Sequence, residues 1–152
     1  MPPPFEYQNA SMRFDQFLVD ARDNAGLATT NMAWNMVVGV LHTFRRRLSA
    51  KQVLQFGAAL PPVVRALYLE GWDLDSMPVP FASRSQLLSE VRAVRHRHNF
   101  SPENAIQAVA AALRKNVDLA AFERALSLLP SEAQAYWAVQ EPPSYAHRKD
   151  PP

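Results

Sequence analysis

The stretch VLHTFRRRLSAKQVLQFGAALPPVVRALYLEGWD, residues 40–73, decides the fold class. Val40, Leu41, Phe44 and Leu48 extend an apolar stripe that begins at Met32, Met36 and Val37, with the three- and four-residue spacing of one helix face. Ser49 followed by Gln52 then opens a new helix, because a serine at the N-cap accepts from the N3 amide while an N3 glutamine reaches back to the cap amide. Leu60-Pro61-Pro62 stops that helix and starts another, since the N–H that proline lacks would be unpaired in a first helical turn anyway. Gly71, free to adopt positive φ, ends the third helix just before Trp72. Three helices in so short a span, with no period-two alternation, read as all-α.

Outward from this stretch the same punctuation recurs. S-x-x-Q appears again at Ser83/Gln86 and Ser131/Gln134, and Ser101-Pro102-Glu103 combines a cap, a first-turn proline and an acid suited to the positive helix end. Helical stripes run through Phe14, Phe17, Leu18, Ala21 and Ala25, through Leu87, Leu88, Val91 and Val94, and through Ala105, Ile106, Val109, Ala112 and Leu113. The pattern predicts helices near 12–25, 30–47, 50–58, 62–70, 84–97, 102–115, 119–128 and 131–139. An internal repeat also emerges. QFLVDAR at 16–22 resembles QLLSEVR at 86–92, Met32, Met36 and Val40 match Ala105, Val109 and Leu113, and GAALPPVVRALY at 57–68 matches LSLLPSEAQAYW at 126–137, at offsets of 70, 73 and 69. The expectation is an all-α protein of two tandem four-helix repeats, residues 12–74 and 83–140, that share a core across a connector at 75–82. The remaining 1–11 and the proline-rich 141–152 read as tails.

Composition agrees. In a chain of 152 residues, 48% hydrophobic and 20% charged residues suit a compact domain with a genuine core and argue against disorder. The absence of cysteine removes disulfides, thiol nucleophiles and thiolate metal sites. A formal charge of +2 is too small to announce a nucleic-acid binder. The opening MPPPFEYQNA has neither the basic nor the apolar region of a signal peptide, and stretches such as MVVGVL at 36–41 are too short to span a bilayer. A cytoplasmic protein without membrane association is expected.

Arg45, Arg47 and Leu48 ahead of the capping serine, Leu60-Pro61, Arg65, Tyr68, Gly71-Trp72 and the later run from Leu87 to Val91 together carry a resemblance. They are similar to the signature of a widespread bacterial family of small two-repeat helical proteins catalogued as a domain of unknown function. The resemblance covers about residues 14–137. It implies an all-helical cytosolic protein and brings no reaction, ligand or catalytic residue with it. This chain departs from the pattern at Arg46, where an acid is common, and at Ala59, where a glutamine often precedes the Leu-Pro.

Candidate functional residues fall into two groups. Arg65 and Tyr68 are neighbours on one helix face, and with Trp72 and the off-stripe Trp34 they form a candidate hot spot for a protein partner, the bland alternative being a structural corner. Arg45, Arg46 and Arg47 could clamp an anion or could simply complement a helix C-terminus. Arg92, Arg95 and Arg97, interspersed with His96 and His98, offer a second basic cluster, with only Phe100 as a stacking aromatic beside it. The histidines, His42, His96, His98 and His147, show no metal-ligand spacing, and no Walker loop, dinucleotide fingerprint or nucleophile elbow is present. The reading is a non-catalytic protein-interaction or accessory module, without cofactor, whose partner is another protein or a second copy of itself. The alternative is weak anionic-ligand or nucleic-acid binding through the arginine-rich helix ends. An enzyme with an unrecognised helical pocket is the third class.

Overall fold

The computed structural model describes residues 3–140; the segment 141–152, expected as a tail, and His147 within it lie outside the described residues. Among the described residues the chain forms helices and no strand: α1 (Phe5–Gln8), α2 (Ala10–Ala25), α3 (Thr30–Arg45), α4 (Ala50–Gly57), α5 (Pro62–Leu69), α6 (Arg84–Ala93), α7 (Ala105–Lys115), α8 (Leu119–Ser127) and α9 (Ser131–Tyr136). Each of the eight expected helices has a counterpart. The additional α1 lies within residues 1–11, where a tail was expected, and it buries none of its side chains.

The long helices pack against one another. α2 lies chiefly along α7, α3 lies along both α2 and α6, and α4 meets α8. The core between them is aromatic. Phe44 and Phe56 have ring centroids 4.8 Å apart, Trp137 stacks on Phe56 at 5.7 Å, and Phe122 meets Trp137 edge-on at 6.3 Å. All four are enclosed, and they come from α3, α4, α8 and the residue after α9. Rings of this size bury large areas and gain further from tilted or edge contacts, so this cluster joins early and late parts of the chain into one core.

Several bonds recur at one fixed spacing. Arg45 Nη1 donates to the Tyr68 carbonyl at 2.7 Å, and Arg114 Nε donates to the Trp137 carbonyl at 2.9 Å. Arg65 Nη2 donates to the Leu60 carbonyl at 2.8 Å, as Gln134 Nε2 does to that of Leu129 at 3.1 Å. Ser49 caps α4 and Asp118 caps α8. Each second member lies 69 residues after the first, the offset at which GAALPPVVRALY and LSLLPSEAQAYW align.

Helix ends follow local chemistry where that chemistry is uncontested. The Ser49/Gln52 box is complete, with bonds of 3.3 and 2.9 Å, and Ser83 accepts from the Gln86 amide at 3.2 Å. Two expected boundaries and one expected cap are corrected. α6 stops at Ala93 rather than 97, because Asn99 Nδ2 donates to the carbonyls of Val91 and Val94, both at 2.8 Å, and Arg95 turns to φ +53°. Ser101 is no cap: its hydroxyl bonds Asn99 Oδ1, and α7 begins at Ala105. Ser131 is the first residue of α9 and caps nothing, since Pro130 precedes it and Gln134 is engaged by Leu129.

Candidate functional site

The C-terminal turn of α3 organises the corner to which Trp72 belongs. His42 Nε2 donates to the Leu67 carbonyl at 2.8 Å, and Arg45 Nη1 donates to the carbonyls of Tyr68 and Glu70 at 2.7 and 2.8 Å. The Tyr68 carbonyl is one that the end of α5 leaves without a helical partner, while the Leu67 carbonyl also accepts from the Glu70 amide at 3.3 Å. Gly71, at φ +68°, lets the Trp72 amide reach back to Leu69 at 3.2 Å. The loop that follows is pinned at both ends. Asp73 accepts from the Asp75 amide at 3.0 Å through its carboxylate and from Ser76 Oγ at 2.7 Å through its carbonyl, and the Val79 amide returns to the Arg46 carbonyl at 3.0 Å. On this tethered loop Leu74 is 62% and Met77 83% exposed, beside exposed Asp73 and Asp75. Trp72 itself is half-buried against the core.

The other members of the expected hot spot are placed differently. Tyr68 is fully enclosed and donates its hydroxyl to the Val53 carbonyl at 2.9 Å, and burial pushes the phenol well above its ordinary pKa. A partner cannot touch it. Arg65 donates Nε to the Gly57 carbonyl at 2.9 Å, in addition to its bond to Leu60, so its guanidinium holds the α4–α5 turn. It borders a cleft of about 500 Å³ that Arg13, Pro61, Asn116 and Asp118 also line. Trp34 is covered in part by α2, with its ring edge-on to Phe14 at 5.7 Å. Of the four residues, only Trp72 adjoins the exposed loop.

The two basic clusters also part company. Arg45 is engaged by carbonyls, and Arg46 and Arg47 both reach Glu90 of α6, Arg46 at 2.8 Å. Arg92 Nε donates to the Ser101 carbonyl at 2.7 Å. Arg95, His96, Arg97 and His98 are exposed, as is Phe100 at 67%. This segment is tied down by backbone alone: Asn35 Nδ2 donates to the His98 carbonyl at 3.0 Å. Among the described residues no group of three or more histidines and carboxylates gathers into a metal-binding arrangement, and no helix is long and apolar enough to cross a membrane.

Sequence reasoning passed over Leu74 and Met77, which have no periodic context, and also Glu90, and it found no role for Asp20. Asp20 is a nearly enclosed carboxylate on α2 that accepts from Asn116 Nδ2 at 2.8 Å and Gln16 Nε2 at 3.0 Å, with Lys115 Nζ at 3.4 Å. Burial works to raise its pKa, but these hydrogen bonds and the lysine charge together hold it below the ordinary carboxylate value. It fastens α2 to the end of α7.

A family model described as "Uncharacterized conserved protein (DUF2267)" matches residues 14–136, from the first core phenylalanine of α2 to the last residue of α9. The chain belongs to that family. No curated protein matches it. In this DUF2267 member, the arginine at position 46, which departs from the pattern of the resemblance, makes an intramolecular ion pair with Glu90.

His42 gives the corner of this DUF2267 chain a pH dependence. Burial lowers its pKa below the ordinary 6.5, and the Arg45 charge lowers it further, against the opposing hydrogen bond to Leu67 and the Glu70 carboxylate. A ring with a depressed folded-state pKa contributes stability in full above the unfolded value and loses it as pH falls. Urea denaturation should therefore show a midpoint that drops between pH 7.5 and 5, and His42→Gln should flatten that drop. An equal drop in the variant would assign the effect to other groups.

Proposed function

We propose that the chain, built from two four-helix repeats at 12–74 and 83–140, is a non-catalytic protein-interaction module of the bacterial cytoplasm that docks through the loop at residues 72–77. One observation carries this reading: Leu74 and Met77 project from a loop whose two ends are hydrogen-bonded to α3. A large apolar side chain on a tethered loop loses little further conformational freedom when a partner covers it, and a cluster of such side chains next to a tryptophan is the composition of interface anchors. The anion-binding alternative has less support, because Arg45, Arg46, Arg47 and Arg92 are all engaged within the chain, which leaves it only the exposed Arg95 and Arg97.

A photo-crosslinking amino acid placed at Met77 should yield a specific adduct in cells, and Leu74→Ser should abolish it. The comparison position is Leu128, the residue that follows α8, 67% exposed. Adduct yields at 77 no higher than at 128 would remove the loop from consideration.

A further inference from the structure

We infer that the partner taken by this loop is a second copy of the same chain, whose exposed basic segment at residues 95–100 is its complement. The inference rests on the reading of the 72–77 loop as a docking surface and names its occupant.

Two observations carry it. Residues 70–77, EGWDLDSM, hold Glu70, Asp73 and Asp75 and no basic residue, around the exposed Leu74 and Met77. Residues 92–98, RAVRHRH, hold three arginines and two histidines and no acid, and exposed Phe100 follows. Each patch thus pairs one sign of charge with exposed apolar side chains that no described residue covers. Opposite potentials arranged in this way steer association and fix register, while the apolar anchors supply the contact that persists once charges are screened.

The two patches cannot satisfy each other within one molecule. The acidic loop is fastened to the C-terminal end of α3, by Arg45 to the Glu70 carbonyl and by the Arg46 carbonyl to Val79. The basic segment is fastened near the start of the same helix, through Asn35 to His98. Ten helical residues, about 15 Å, separate the two anchors. That exceeds the screening length of about 8 Å at physiological salt, so the patches hardly feel each other in the monomer. Between two copies related by a twofold axis, the acidic loop of each meets the basic segment of the other, and both contacts form at once. Arg45 lies at the base of the acidic loop, but its guanidinium is directed at backbone carbonyls, and the exposed face of the loop keeps its acids.

The test is a charge exchange read by light scattering behind size exclusion. The wild-type mass should rise from 17.1 kDa towards twice that value with increasing concentration, and about 0.5 M salt should return it to the monomer. Glu70→Lys with Asp75→Lys in one variant, and Arg95→Glu with Arg97→Glu in another, should each abolish the rise. Among the described residues these side chains make no hydrogen bond, unlike Asp73, and helical circular dichroism checks each variant's fold. Mixed in equal amounts, the two variants should recover the dimer, since each altered patch then faces an oppositely altered one and each native patch a native one. A wild type that stays monomeric up to about 1 mM, or a mixture of folded variants that fails to dimerise, overturns self-pairing. The crosslink at Met77 keeps the underlying reading separate: an adduct with a different protein from a strictly monomeric chain would retain the docking loop and replace only its occupant.

Discussion

Glu90→Ala is expected to lower the unfolding free energy by about 3 kcal/mol, the low end of the range for breaking a buried ion pair from one side. Arg47 explains the size of the effect. Its side chain is 2% exposed; Nη1 donates to the Thr43 carbonyl at 2.9 Å and Nη2 is paired with Glu90, while Nε has no partner among the described residues. Removing Glu90 leaves an enclosed guanidinium with one carbonyl for company. Arg46, which is 54% exposed, loses a pair of much smaller value. The double variant Arg47→Met with Glu90→Leu removes charge and counter-charge together and should regain most of the loss. Urea midpoints of the three proteins decide the matter: a Glu90→Ala cost below about 1 kcal/mol would mean that Arg47 readily finds water or another anion.

The same residues mark the boundary of what the sequence discloses. The arginine run at 45–47 is visible as a run, and its position at a helix end is correctly placed by the Ser49 cap that follows it. What divides its members is non-local: Glu90 is contributed by a helix more than forty residues later, and no spacing rule connects it to Arg47. Tyr68 and Arg65 behave likewise. Their three-residue spacing puts them on one face, but whether that face looks inward depends on Val53 and Gly57 of the preceding helix, to which they bond. Helix existence is legible because apolar periodicity is a property of each segment alone. The end of α6 is not, because Asn99 captures the carbonyls of Val91 and Val94 from outside the helix. Leu74 and Met77 sit in a loop where hydrophobicity has no period to be judged against, and only exposure in the folded chain distinguishes them from core residues.

Gly39→Ala tests the same α3–α6 contact from the backbone side, and a net loss of about 2 kcal/mol is expected. In an exposed helix interior this change would stabilise by about 1 kcal/mol, so the sign itself is informative. A Cβ at position 39 would lie 2.5 Å from the Val91 carbonyl oxygen, 3.0 Å from Val91 Cγ1 and 3.2 Å from Asn99 Nδ2. The first of these is backbone and cannot swing away as a side-chain tip can. It belongs to the last turn of α6, and Asn99 Nδ2, which donates to it, also bonds the carbonyls of Val94 and, at 3.3 Å, Asn35. An added methyl must therefore push α6 off α3 or break the Asn99 junction, and overpacking of this kind costs about 1 to 3 kcal/mol or more before the helix preference is credited. Adding Val91→Ala separates the two sources of strain. It removes Cγ1 but leaves the carbonyl, so it should not restore stability to Gly39→Ala, and a rescue would shift the cause from the backbone to the valine side chain. Gly57→Ala supplies the contrast: its nearest neighbour is the Tyr68 ring at 3.1 Å, which asks for a shift of only a few tenths of an ångström, and its cost should be the smaller of the two.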